Sequence, residues 1–417
     1  MPGGAWVVAV RARVEGWAGR AWPTAAELHE AAGGRPCVVK SFDIHSLVAS
    51  DEALRAVGVE PGASIDGRDA RPTNGRDARP TNGRDARPTN GCDARPIGHA
   101  EELDLIDRDD RGVPTGLLLE SMAQRALDAM PAPTADDRLE QVRRACVDLA
   151  SRGFVEAHDM HSKPALWTDL ADLSDAGALP IRVLLHPLRD DFDRAIIERD
   201  RYERDGIRLG GLKVFTDGTL NSRTAWMLEP FADPRPEAPS GRRTMTDEEF
   251  VDALARAQAA RLPLVAHAIG DAAVRRGLDL IERHGSRSIA HRIEHCEFID
   301  EADAPRFARL NVIASVQPCH LLPDMEAIRR LTPDRVGRVL PLRDLVDSIR
   351  DVGRDPRDLV WFGSDAPVVD PDPAANIRAA VHRRREEMPA EAAIAPEQAL
   401  SEAEAWSLMA AAGVAAP

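Results

Sequence analysis

From Leu139 onward, short apolar runs alternate with longer stretches whose apolar residues recur at helical spacing. The runs are GFVEAHDM, IRVLLHP, LKVFTDG, LVAHAIGD, HRIEHCEF, VIASVQP and LVWFGSD. Between them lie helix candidates such as DEEFVDALARAQAARL, AAVRRGLDLIERHG and EADAPRFARL. This alternation predicts an α/β fold with a parallel sheet. Seven strands with short returns suit a (β/α) barrel better than an open sheet, and an eighth, needed for closure, is not visible in this region. RPCVVKSFDIHS, far upstream, is a further predicted strand.

One segment breaks the pattern. GRDARPTN occurs three times, from Gly67, Gly75 and Gly83, and a degraded copy, GCDARPIG, ends at Gly98. Its only apolar residue is Ala, so it cannot contribute a core and predicts a surface loop. An expanded DNA repeat tolerated in a loop is favoured over an interaction tether. The period is shorter than the roughly 20 residues of a solenoid unit. The predicted organisation is therefore residues 1–66, a repeat loop over 67–98, and an incomplete barrel over 99–417, regular from about 150.

Composition narrows the function. The 417 residues are 43% hydrophobic, enough for a large core, and carry a formal charge of −15. An acidic surface argues against nucleic acid and anionic membranes as partners. Five cysteines, with no CxxC, suggest free thiols in a reducing compartment, hence a cytoplasmic protein. The N-terminal apolar run, broken by Arg11 and Arg13, does not read as a signal peptide. No apolar run approaches the roughly 20 residues of a membrane span.

Polar residues cluster at the predicted C-terminal ends of the strands: Lys213, His267, His295 and Asp365. In parallel α/β folds and barrels that end carries the active site. Each residue has a plainer explanation alone. A strand-end His is commonly a satisfied core residue, and Asp365 before Ala-Pro suits an Asx turn. A lysine inside an apolar strand is harder to dismiss, because a buried ammonium needs a partner or altered chemistry. Together, two imidazoles, a lysine and a carboxylate suit Zn²⁺ or a similar divalent ion. Hydrolysis by metal-activated water follows from such a set, with an Asp moving the proton.

At these residues the chain resembles the metal-dependent amidohydrolase superfamily, in its amidohydrolase-3, YtcJ-like branch. The matching text is RPCVVKSFDIHSLVAS, GVPTGLLLE, GGLKVFTDGTLNSRTAWMLEPF, VAHAIGDAAVRRGLDLIE, HRIEHCEFIDEAD, VIASVQPCHLLPD and LVWFGSDAPVVDPDP. The resemblance implies a TIM-like (β/α)8 metal-dependent hydrolase barrel that cleaves carbon–nitrogen bonds other than peptide bonds of a small-molecule substrate. It implies that Lys213 is the strand-4 lysine, carboxylated and metal-bridging. His267 and His295 match the strand-5 and strand-6 ligands. Asp365 matches the strand-8 aspartate, ligand and general acid/base in one. Arg292, Gln317, His320 and His45 are candidate substrate contacts. Asp271 is a candidate to orient His267 through the following turn, or equally to cap the next helix. His158 and His161 are weaker as ligands.

The family's strand-1 His-x-His pair is missing: none of the 12 histidines is followed two positions later by another. The expectation is a chain truncated at both ends, lacking strand 1 and the accessory β-sandwich, with exposed edges at strands 2 and 8 that favour aggregation. One metal site is then expected more readily than two, with Zn²⁺ as the default ion. Two readings stay open: a C–N hydrolase, or a catalytically dead remnant. Homo-oligomerisation stays open as well.

Overall fold

Five strands and three helices build the N-terminal part of the chain in the computed structural model, which describes residues 6–12, 14, 21–41, 46–62 and 105–414. The strands are β1 (Val7–Ala12), β2 (Cys37–Ser41), β3 (Ser46–Ala49), β4 (Ile106–Arg108) and β5 (Pro114–Leu119). They form one sheet in the order β1-β2-β3-β5-β4, parallel only between β1 and β2. Val38, Leu47, Leu54, Leu118 and Met122 make its core with the helices Asp51–Ala56 and Glu120–Asp128. RPCVVKSFDIHS supplies β2, as its apolar run predicts. The division between the two compact units falls between Ala132 and Pro133. The boundary therefore lies later than residue 99, because β4 and β5 pair into this sheet through β3. The octapeptide repeats over 67–98, and His45, lie outside the described residues.

The second unit, Pro133–Pro417, contains all seven apolar runs as strands. They are β6 (Glu156–Asp159), β7 (Arg182–Leu185), β8 (Ile207–Leu209) with β9 (Leu212–Phe215), β10 (Leu264–Ala268), β11 (His291–His295), β12 (Val312–Val316) and β13 (Val360–Phe362). Only β9 falls in the run LKVFTDG; β8 lies ahead of it, separated by Gly210–Gly211. A Cβ at Gly210 would stand 2.5 Å from His186 Nε2, and one at Gly211 2.6 Å from the Pro263 carbonyl oxygen. Only glycine fits these approaches. β8 pairs with β7, β9 pairs with β10, and the Lys213 N–H reaches the Pro187 carbonyl at 3.0 Å. Every ladder from β6 to β13 is parallel.

These strands form two sheets, β6-β7-β8 and β9-β10-β11-β12-β13, linked by a parallel Leu188–Lys213 bridge, and together they roll. Laid flat at about 4.8 Å per strand, β6 and β13 would stand about 29 Å apart. The His158 ring of β6 and the Trp361 ring of β13 instead meet edge-on with centroids 6.0 Å apart. Side chains alternating toward the outside, such as Val183, Val214, Ile293, Ala314 and Phe362, share one apolar core with the helical residues Phe250, Leu254, Leu278 and Phe307. Helix Asp247–Ala259 starts from a capping box, Thr246 with Glu249, and the next, Asp271–His284, carries eight buried residues.

The strand edge expected to lie exposed at β6 is partly covered. Val414 bridges Phe154 in antiparallel fashion, and the Val155 N–H donates to the Gly413 carbonyl at 2.9 Å. The four described cysteines, Cys37, Cys146, Cys296 and Cys319, are free and buried. No described helix is long and apolar enough to cross a membrane.

Candidate metal centre

At or just past the C-terminal ends of β10 to β13, four of the residues singled out from sequence come together: His267, His295, His320 and Asp365. The ligand atoms of His295, His320 and Asp365 all lie within 4.8 Å of one another. His295 ends β11, His320 closes a 3-10 turn (Pro318–His320) after β12, and Asp365 follows β13. Two imidazoles and a carboxylate are a donor set suited to a divalent ion such as Zn²⁺. His295 (φ +72°), Cys296 (φ +47°) and Asp365 (φ +53°) all occupy the left-handed region. Non-glycine residues there carry backbone strain, and such residues concentrate at functional sites. His320, expected as a substrate contact, thus stands among the candidate ligands.

His267 stands beside this cluster, its ring centroid 4.5 Å from that of His295. It is 1% exposed. Its Nε2 lies 3.1 Å from the Gly218 carbonyl oxygen. A carbonyl can only accept, so Nε2 carries the proton and Nδ1 keeps the lone pair. The Asp217 carboxylate, also buried, lies 3.5 Å from the same Nε2. It accepts from the backbone N–H groups of Ile269 (3.1 Å), Gly270 (2.8 Å) and Trp226 (2.9 Å). Asp217 therefore holds the turn after His267. Asp271, a candidate either for that turn or for the helix cap, accepts from the N–H groups of Leu228 (2.7 Å) and Ala272 (3.0 Å), and Gly270 is the helix cap.

Lys213 is buried on β9, its Nζ 4.7 Å from the centroid of the Phe215 ring. Burial pulls its pKa down to about 8, against the opposing pull of Glu294 and Asp365. A neutral amine is thus within reach near physiological pH.

Arg292, expected to contact substrate, is bound up inside the rolled sheet. Its guanidinium donates to His158 Nδ1 (2.6 Å), Ser315 Oγ (2.8 Å) and Glu294 Oε2 (3.1 Å), pairs with Glu294 also through Nε, and lies over Trp361. Because arginine only donates, His158 Nδ1 accepts, and its Nε2–H donates to Glu156 at 3.0 Å. Both ring nitrogens of His158 are thereby occupied. Gln317 is 4% exposed and donates to the Ser315 carbonyl at 3.3 Å.

Sequence reasoning passed over Asp217, Glu294, Asn221 and Asp324. Asp217 lies within a quoted strand run, but nothing local says that its carboxylate returns to the turn after β10. Asn221 Nδ2 donates to Asp324 Oδ1 at 2.8 Å, joining segments 103 positions apart.

The model of the amidohydrolase family matches residues 86–416. The chain is similar to Protein LONG AFTER FAR-RED 3 of Arabidopsis thaliana, 28% identical over 297 residues, covering 67% of this chain and 49% of that protein. It is similar to Putative amidohydrolase YtcJ of Bacillus subtilis (strain 168), 27% identical over 288 residues, covering 67% of this chain and 52% of that protein. The chain thus spans about half the length of these curated relatives. Its fold matches that of an uncharacterized metal-dependent hydrolase from Pyrococcus horikoshii OT3, with TM-score 0.69 and 23% identity over 98% of this chain and 72% of that one. A second, from Pyrococcus furiosus, gives TM-score 0.65 and 23% identity over 97% and 72%. With the match running from the repeat region through the whole rolled sheet, the chain belongs to the amidohydrolase family.

Proposed function

We infer that this protein is a metal-dependent hydrolase of carbon–nitrogen bonds in small amide-type substrates, built on a (β/α) barrel. The observation that carries this reading is the convergence of His295, His320 and Asp365 within 4.8 Å at the C-terminal ends of the parallel strands. Family membership and the rolled sheet support it. A bound divalent ion, Zn²⁺ by default for this donor set, supplies Lewis acidity and a water nucleophile near neutral pH.

The chain's own residues do the rest. His295, His320 and Asp365 would hold the ion. Asp365, the carboxylate of this set, would serve as the proton carrier, from the attacking water to the leaving nitrogen. His267 would offer Nδ1 from the neighbouring strand as a further ligand, since Gly218 holds its Nε2–H. Lys213 belongs to the same side of the site. Its lowered pKa supports a neutral amine, which CO2 could carboxylate with release of a proton, and the carbamate oxygens would then join His267 and His295 as donors to an ion. Arg292 keeps the buried Glu294 neutralised beneath them.

The test is metal content per chain by mass spectrometry, beside a His295→Ala/His320→Ala double variant. The expected result is at least one divalent ion in the wild type and loss of it in the variant, with turnover of formamides or N-acyl amines by the wild type alone. A folded wild type that takes up no divalent ion overturns the reading.

A further inference from the structure

We propose that Asp324 is a positioning residue for His320: it accepts the imidazole N–H, turning the other ring nitrogen toward His295 and Asp365, and is itself held by Asn221. This rests on the metal reading above and adds a part to it.

The backbone makes the argument. His320 has φ −65° and ψ −30°, and helix Leu321–Leu331 follows directly. The helical path therefore runs through His320 and puts Asp324 one turn later on the same face. Helical side chains lean toward the N-terminus, so the Asp324 carboxylate overlies the turn that bears His320. Asp324 is only 5% exposed. A carboxylate that deep needs donors. Asn221 supplies one at 2.8 Å, and the lean of a helical side chain directs the carboxylate back toward the turn that bears His320.

Asn221 is well placed for this task. Thr219, Ser222 and Thr224 link their hydroxyls around it at 2.7 Å each, and Thr224 Oγ1 accepts from the Thr219 N–H at 3.0 Å. Asp217 anchors the start of the same loop beneath His267. One loop thus fixes a histidine at the end of β10 and, through Asp324, a second one after β12. A carboxylate on the distal nitrogen of a ligating histidine sets its tautomer and raises its basicity, and losing it costs about 10–100-fold in metal affinity.

A purely structural account is that Asp324 serves as a first-turn acid on its helix, with Asn221 as a clamp. Two readouts on the full-length protein separate the accounts. The first is the 15N spectrum of histidine-labelled, chelator-stripped protein, comparing wild type with Asp324→Asn and Asn221→Ala. The expected result is a single His320 tautomer in the wild type and a mixed or switched one in Asp324→Asn. The second is Zn²⁺ titration against a competing chelator, with affinity expected to fall about 10–100-fold in Asp324→Asn and to recover partly in Asp324→Glu. An unchanged His320 tautomer in Asp324→Asn overturns the proposal, whatever its melting temperature. The tautomer is read without metal, so it decides the matter even where the wild type binds no Zn²⁺, a result that overturns the metal reading alone. Asn221→Ala leaves the carboxylate in place, so it provides the readout where Asp324 variants fail to fold: an unaltered tautomer population there also counts against the proposal.

Discussion

Asp217 Oδ1 lies 3.5 Å from Nε2 of His267, and the same carboxylate accepts the backbone N–H groups of Ile269 and Gly270 just beyond that histidine. One side chain on the loop after β9 thus fixes both a candidate ligand and the turn that follows it. Both residues are at most 1% exposed, so water cannot substitute for either partner.

Replacing Asp217 by alanine therefore strands buried donors. Urea denaturation of Asp217→Ala is expected to show a loss of about 3–5 kcal/mol, because each orphaned N–H costs about 1–3 kcal/mol. Asp217→Asn keeps one acceptor oxygen and is expected to lose about half as much. A stability within 0.5 kcal/mol or so of wild type, the range of neutral surface changes, would show that the carboxylate is dispensable.

Arg292 is predicted to be structural before it is anything else. Its removal leaves Glu294, 3% exposed, without its counter-charge. Arg292→Ala is expected to cost about 3–5 kcal/mol. Arg292→Lys is expected to recover little, since an ammonium cannot serve His158, Ser315 and Glu294 together. Should Arg292→Ala keep its unfolding midpoint while KM rises, the arginine meets substrate after all.

His291 gives the fold a pH dependence of known sign. It is fully buried at the start of β11, accepts the Leu264 N–H at 3.1 Å, and burial lowers its pKa from 6.5 to about 4. The folded state then holds fewer protons than the unfolded one between these values. Stability is fully present above pH 6.5 and drains as the pH falls toward 4, by up to about 3 kcal/mol. Denaturation midpoints measured from pH 7 to 4 should fall in the wild type and flatten in His291→Gln. Parallel curves for the two proteins would remove His291 as the cause.

Lys213 carries a prediction about CO2. With a pKa near 8, about a tenth of the amine is neutral at pH 7 and about half at pH 8. Bicarbonate is expected to raise metal content and turnover in the wild type, more so at pH 8 than at pH 7, and to leave Lys213→Ala unmoved. A 13C carbamate resonance from labelled bicarbonate, lost in Lys213→Ala, is the direct measurement. Its absence in a metal-loaded wild type would leave Lys213 as an amine over Phe215.

Local pattern sufficed for much of this molecule. The seven runs became strands and the three quoted helix candidates became helices, since apolar periodicity is read by neighbouring residues on one chain segment. The same pattern placed His267 and His295 near the ends of their strands and Asp365 just past β13, because parallel strands joined by helices all finish on one side, whereas Lys213 is the second residue of β9. It did not reveal that residues 105–132 would pair with the N-terminal sheet, as antiparallel partners can lie anywhere along the chain.

Partnership across the rolled sheet came only with folding. Curvature carries Arg292 from β11 to His158 on β6. It sets His320, rather than His267, in the cluster with His295 and Asp365. It brings Asp217 under the turn that Asp271 was expected to hold, and Asn221 to Asp324. A residue's type and strand position follow from its immediate neighbours. A ligand set depends on distances of a few ångströms between segments far apart in the chain, which no local pattern encodes.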